Sequence, residues 1–171
     1  LALQFVILTA ARTGEAMAAR QSEISGDVWL IPAARMKAGK GHSVPLSRAA
    51  IAVLKQASAL RRDTRPDAYV FQSASSGRPP GRAEMLKLLR RLGYRETVHG
   101  MRASFRSWAA DHAFPREVVE KALAHSLSSE TERAYNRADL IDQRRRLAES
   151  WAEFLSRPFA SGEVVAIRQR S

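Results

Sequence analysis

Between Val98 and Arg137 the sequence gathers the residue types that chemistry on a phosphodiester requires. His99-Gly100-Met101-Arg102 comes first, then Leu123-Ala124-His125-Ser126, then Arg133-Ala134-Tyr135-Asn136-Arg137. An arginine fork can hold non-bridging phosphate oxygens through bidentate donors and stays charged at any ordinary pH. Imidazoles titrate near neutrality, so they can donate to a phosphate or move a proton. A phenol with an ordinary pKa of about 10 can attack phosphorus as it loses its proton. Tyr135 follows His125 by 10 residues, and the three motifs read as successive short helices.

Helices must position these groups. Thr97 is placed to cap a helix on which Met101, Phe105, Trp108 and His112 recur as an apolar stripe, while His99, Arg102 and Arg106 share a neighbouring basic face. Pro115 suits the first turn of the next helix. Ser129 and Glu132 form a capping box for the helix bearing Tyr135. Asp139 opens a long final helix with Leu140, Leu147, Trp151 and Phe154 as its stripe, ending before Pro158.

Upstream, Leu1–Ala11 reads as a buried helix and Glu15–Ser22 as a more polar one. Ser25-Gly26-Asp27 is turn chemistry before the β-rich run Val28–Ile31. A second turn at Lys37–Gly41 leads to Ser43–Leu46, a peripheral strand because Pro45 cannot donate to a ladder. Ser47 caps a helix with Ile51, Leu54 and Leu60 on one face, and Tyr69–Phe71 is a brief strand or turn. Ser73–Arg82 is a surface loop, and Glu84–Leu92 is a helix with Leu86 and Leu89 inward. The expected architecture is mainly α with a small antiparallel β-sheet, an α+β fold.

The chain has 171 residues, enough for one domain with a real core. Its 28 Lys and Arg against 17 Asp and Glu give a net charge of +11, which points to a polyanionic partner, most simply nucleic acid. Without cysteine there are no disulfides or thiolate metal sites, and the histidines show no paired metal spacing, so neither a metal nor another cofactor is expected. Leu1–Ala11 is too short to span a bilayer and lacks a basic leader, so no membrane partner is expected.

The order and spacing of these motifs, with the texts VHGMRASFRSWA, FPREVVEKALAHS and ERAYNRADLIDQRRRLAESWAEFL, resemble the tyrosine site-specific recombinases, the integrases of prophages and integrative elements. The resemblance covers nearly all of residues 1–171, with 158–171 as a C-terminal tail, and implies upstream DNA-binding domains outside this chain. It implies the integrase catalytic-domain fold, site-specific recombination through a 3′-phosphotyrosyl intermediate, double-stranded attachment-site DNA as partner, a homotetramer on DNA in the full-length protein, and action at the bacterial nucleoid in the cytoplasm. Tyr135 would be the nucleophile and Arg102 the phosphate clamp. His99 would serve general-base work and His125 phosphate hydrogen bonding. Lys37, with Lys40 competing, would protonate the leaving 5′-oxygen.

One position departs from the family text. Where the family carries its first catalytic arginine in a run like T-G-E-x-R, this chain reads Thr13-Gly14-Glu15-Ala16-Met17. Methionine cannot hold an oxyanion, and losing one such donor costs about 10² to 10³ in rate. Impaired cleavage is expected, from a degenerate copy or an engineered substitution, unless Arg20 or Arg12 compensates. The alternative class is an inactive integrase-like DNA-binding remnant. A metal-dependent nuclease is disfavoured by the lack of clustered carboxylates, and a type IB topoisomerase by the flanking text. Arg20, Lys40, Arg61, Arg62, Arg82, Lys87 and Arg106 are candidate DNA contacts, and Arg144-Arg145-Arg146 is a candidate for local salt bridging.

Overall fold

An almost wholly apolar opening segment forms the wall between two halves of the core. The computed structural model describes residues 1–73, 76–125 and 140–158, apart from the Arg82 side chain. Tyr135, the Ser129–Glu132 capping box and the tail beyond Pro158 lie outside the described residues. Helix α1 (Ala2–Thr9) is followed by α2 (Thr13–Met17), a 3-10 turn and three strands: β1 (Ile24–Ser25), β2 (Val28–Ile31) and β3 (His42–Pro45). Then come α3 (Arg48–Ala59), α4 (Arg82–Arg91), α5 (Val98–Asp111), α6 (Arg116–Ala122) and α7 (Ile141–Ser156). The mainly helical architecture with one small sheet is the expected one. Among the described residues, no helix is long and apolar enough to cross a membrane.

Helix α1 buries Leu3, Phe5 and Val6, and Phe5 packs 5.3 Å from both Trp29 and Phe71 between ring centroids. That cluster also takes in Ile31, Leu46, Val53, Met85 and Leu89. The second cluster is built on Phe105, Trp108, Leu147 and Trp151. Ile7 touches both, and its carbonyl accepts from Trp151 Nε1 at 2.8 Å. The helix stops earlier than Ala11 because Ala10 turns left-handed, at φ 48°. The polar helix expected to reach Ser22 ends at Met17. Beyond it the backbone pairs elsewhere: Val70 N donates to the Ala19 carbonyl at 2.8 Å and Gln21 N to Ala68 at 3.0 Å. Tyr69 joins this as a single bridge to Arg20 rather than as a strand.

The sheet has the order β1-β2-β3, all antiparallel. Trp29 pairs with Val44 and Ile31 with His42. Trp29 and Ile31 are buried while Leu30 between them is 50% exposed, the period-two pattern of a sheet covered on one face. As Pro45 foretold, β3 lies at the edge.

The two predicted side-chain caps that fall among the described residues are present: Ser47 Oγ accepts from Ala50 N at 3.2 Å and Thr97 Oγ1 from Gly100 N at 3.1 Å. Two inward faces differ from expectation. On α3 the buried residues are Ala50, Val53 and Ala57, Ile51 and Leu54 are only half-buried, and Leu60 is 74% exposed beyond the last turn. On α4 Met85 and Leu89 face inward and Leu86 is exposed. His112 is also exposed, at the end of α5, its ring tilted against that of Trp108 with centroids 4.7 Å apart. Phe154 is partly exposed while Leu147 and Trp151 are buried, so the stripe of α7 fades toward its end.

Candidate active site

Arg102 sits in the second turn of α5 and is almost fully buried. Its guanidinium donates to the carbonyl of Ala10, just past the end of α1, and to that of Leu123, at the end of α6, at 2.9 Å. Carbonyls at helix C-termini carry the negative end of the helix dipole, so two of them hold this cation in place. One NH2 also lies 3.3 Å from His125 Nε2. Burial pushes the Arg102 pKa below its ordinary value, repulsion from Arg12 adds to this, and Glu15 offsets part of it. The basic face read from the sequence is therefore largely interior at this residue.

His125 is presented by the end of α6. Its N–H returns to the Glu120 carbonyl at 2.9 Å and the Ala124 N–H to Lys121 at 3.1 Å, the paired bonds of a Schellman motif. Ala124 takes the left-handed position at φ 50°. The imidazole Nδ1 is 2.7 Å from Glu120 Oε2, while Glu120 Oε1 accepts from Arg106 Nε at 2.8 Å. Burial alone would raise the Glu120 pKa, but the bonds from His125 and Arg106 outweigh it and hold the carboxyl below its ordinary value.

These elements surround an open cleft of about 540 Å³ lined by Arg12, Lys37, Ala38, Glu120, Ala124 and His125. Arg12 precedes α2 and is aimed by Glu15, whose carboxylate accepts from its backbone N at 3.0 Å and its NH1 at 2.8 Å. Lys37 stands exposed on the turn before β3. Arg12 and Lys37 open onto the cleft, with Arg102 behind His125, against one carboxylate already bonded twice. Such a surface attracts and orients a phosphate.

Of the residues singled out from sequence, the fold thus brings together Arg102, His125 and Lys37. His99 is exposed in the first turn of α5, three residues before Arg102, and is not among the cleft-lining residues. Met17 has surroundings unlike those expected of a phosphate-holding position: it is 5% exposed and packed in the first core cluster. A guanidinium there would be buried among apolar side chains. Arg12 occupies the cleft instead, from a position that sequence reasoning offered only as compensation. Glu15 and Glu120 were missed as partners, although their spacings of +3 from Arg12 and −5 from His125 could have suggested them.

The candidate DNA contacts divide. Lys40, Arg62 and Lys87 are exposed. Arg20 is engaged internally, 4.6 Å from the Tyr69 ring centroid and donating to the Asp67 carbonyl. Arg61 bonds Ser58 Oγ at 3.1 Å and lines a separate groove with Leu60, Phe71 and Leu88. Arg106 serves Glu120, although its side chain is 56% exposed. In the final arginine run, Arg144 is buried and donates to the Ser43 carbonyl at 2.5 Å, and Arg145 pairs with Asp27. Arg145 thus forms a salt bridge, though to a residue distant in sequence, whereas the bond described for Arg144 is to a backbone carbonyl.

The phage integrase family model matches residues 1–140. Prophage integrase IntA of Escherichia coli K12 is 36% identical over 164 residues, covering 93% of this chain and 39% of that protein. The integrase of Shigella phage Sf6 is 29% identical, covering 91% of this chain and 41% of its own length. The chain therefore spans about two fifths of the length of these curated relatives. Among solved structures, XerH site-specific recombinase bound to difH substrate superposes with a TM-score of 0.57 at 17% identity, covering 80% of this chain and 44% of that one. The Tn1549 transposon integrase in complex with circular intermediate DNA gives 0.55 at 15% identity, covering 90% of this chain and 56% of that one. With its helices, its small sheet and its cationic cleft arranged in this way, the chain belongs to the phage integrase family of tyrosine recombinases and has their catalytic-domain fold.

Proposed function

We propose that residues 1–171 act as the catalytic domain of a site-specific DNA recombinase, which integrates or excises a prophage or integrative element. The observation that carries this reading is the gathering of Arg12, Lys37 and His125 around one cleft, with Arg102 behind His125. The scissile phosphate would rest there, its non-bridging oxygens held by Arg12 and Arg102. The Tyr135 oxygen attacks phosphorus, the bond to the 5′-oxygen breaks, and Lys37 supplies the proton that the leaving oxygen needs. The phosphodiester energy is kept in the 3′-phosphotyrosyl bond, so reversal with a new 5′-hydroxyl rejoins the strands. The family resemblance assigns proton removal to His99 and phosphate hydrogen bonding to His125. The partner is attachment-site DNA, with a homotetramer as the working assembly and the cytoplasm as its place.

Arg12, not position 17, supplies the first guanidinium in this reading. The burial of Met17 and the aiming of Arg12 by Glu15 support it. The expected impairment, and with it the inactive DNA-binding remnant, rested on reading position 17 as a phosphate-holding site, so cleavage competence is the reading favoured here.

The test is covalent trapping by the full-length protein on a nicked duplex bearing the attachment sequence that flanks its encoding element. Wild type should give a detergent-resistant adduct that Tyr135→Phe abolishes. Arg12→Ala should slow its formation by about 10² to 10³, the usual loss for one oxyanion donor, whereas Met17→Leu should leave it nearly unchanged. An adduct that survives Tyr135→Phe would refute the nucleophile. An adduct indifferent to Arg12→Ala would refute the reassigned arginine.

A further inference from the structure

The turn that carries Lys37 is held at both ends by side chains that reach other elements. At its entry, Arg35 pairs with the Glu23 carboxylate and donates to the carbonyl of Glu15, the residue that aims Arg12. At its exit, His42 opens β3, and its Nε2 lies 3.3 Å from the carbonyl oxygen of Ala122, the last residue of α6. A carbonyl oxygen only accepts, so this contact requires a hydrogen on Nε2. Neighbouring carbonyls at that helix end are taken as well: Glu120 by the His125 N–H, Lys121 by Ala124 and Leu123 by Arg102. His42 therefore grips α6 one residue from the hold of Arg102 and three residues before His125. The strand ladder ends at Ile31 opposite His42, so Lys37, five residues earlier, lies beyond its last pair. Within the turn, Met36 is buried and its carbonyl accepts from Gly39 N at 3.0 Å. Those bonds shape the turn, and the bond to Ala122 joins it to the element that presents His125 across the cleft.

We propose that His42 is a positioning residue: its Nε2–H bond to Ala122 holds the Lys37 turn at one spacing from the end of α6, and so keeps the proton donor of the cleft within reach of the leaving oxygen. The inference rests on the recombinase reading, with the roles of Lys37, His99 and His125 unchanged, and deepens it. In strand cleavage the 5′-oxygen departs with the electron pair of the P–O bond and takes a proton from the Lys37 ammonium. A lysine stem is long and flexible, so its ammonium stays on target only while the backbone beneath it is fixed. Misplacement by about 1 Å can cost about 10²-fold in rate. His42 acts through Lys37 and touches neither the phosphate nor the leaving oxygen.

Changing the leaving atom separates a misplaced proton donor from damage elsewhere. In single-turnover trapping by the full-length protein on the nicked attachment-site duplex, His42→Phe keeps a ring but has no donor. It should lose tenfold or more of the adduct rate, a share of the roughly 10² to 10⁴ that a proton-transfer group contributes. His42→Gln, whose amide N–H can still reach a carbonyl, should recover part of that loss. With a bridging 5′-sulfur in place of the 5′-oxygen, the leaving thiol has an ordinary pKa of about 8.5 and departs as thiolate without a donated proton. Sulfur should therefore bring His42→Phe close to the wild-type rate, as it should rescue Lys37→Ala. A His42→Phe defect that persists on sulfur while Lys37→Ala is rescued overturns the proposal, and so does wild-type cleavage of the oxygen substrate by His42→Phe. A Lys37→Ala defect that sulfur leaves in place removes Lys37 as the acid and the proposal with it. The bond itself is read without DNA or any variant: in 15N-histidine-labelled wild type at alkaline pH, where imidazole is neutral, His42 should show the Nε2–H tautomer. An Nδ1–H ring overturns the proposal, whereas an Nε2–H ring with no wild-type adduct on either substrate counts against the recombinase reading.

Discussion

Arg102 has a structural role apart from the hold on a phosphate proposed for it. Its fork joins the end of α1, through Ala10, to the end of α6, through Leu123. A lysine ammonium is a compact point charge on a flexible stem, and it cannot reproduce a planar fork between two fixed carbonyls. Arg102→Lys should therefore lower stability by about 1–3 kcal/mol, the cost of leaving a buried acceptor unsatisfied, as well as slow adduct formation. Urea unfolding and trapping should both register the change; a loss of cleavage with unchanged stability would mean that the two carbonyl bonds contribute nothing. At this scale the sequence was legible where a motif has fixed internal spacing, as for Arg102 and His125. At Met17 the linear text around Gly14 offers two arginine registers, and the burial of that side chain is what favours Arg12 in the reading proposed here. Arg12 sits before the first turn of α2, where helix periodicity gives no face. Glu120 reads as one more acid on a helix until its bonds are seen.

The elements were read well from their starts and less well from their ends. Ser47 and Thr97 announce their helices through side-chain chemistry that is local in sequence. Four boundaries instead use non-glycine residues with left-handed backbone: Ala10, Ala113, Ala124 and Leu140. Nothing in an alanine signals such a turn, so α1 was read too long. The inward faces of α3 and α4 were read only in part: on α3 large residues were preferred as core whereas the packed face uses Ala50 and Ala57, and on α4 Leu89 is inward as expected but Met85 takes the place of Leu86. The strain is testable at Ala124, whose φ of 50° crowds its Cβ. Ala124→Gly should stabilise the protein by about 1 kcal/mol, measured by urea unfolding, provided the flanking Schellman bonds persist. Destabilisation would show that tertiary packing of the methyl group outweighs the backbone term.

At the scale of the whole molecule, charge and acid sensitivity belong together. The net charge of +11 fits a protein that meets DNA, and it grows as carboxylates protonate. Glu120 has a folded-state pKa below its ordinary one. The unfolded chain therefore binds the proton more readily, and stability rises with pH between the two values. The contribution is complete above the ordinary glutamate value of about 4.3 and is lost as pH falls through the folded value. Urea unfolding of wild type and Glu120→Gln should show a stability gap that narrows below about pH 4; a gap independent of pH would assign it to packing alone.

The outer side of β3 carries a further consequence. Arg144, reaching across from α7, occupies the Ser43 carbonyl, and Pro45 has no N–H to offer. A strand from another molecule laid along that border would find one acceptor taken and one donor missing. Sheet extension there is disfavoured, which guards a β-containing protein against edge-to-edge aggregation. In the assembly proposed above, copies would then not pair edge to edge along β3.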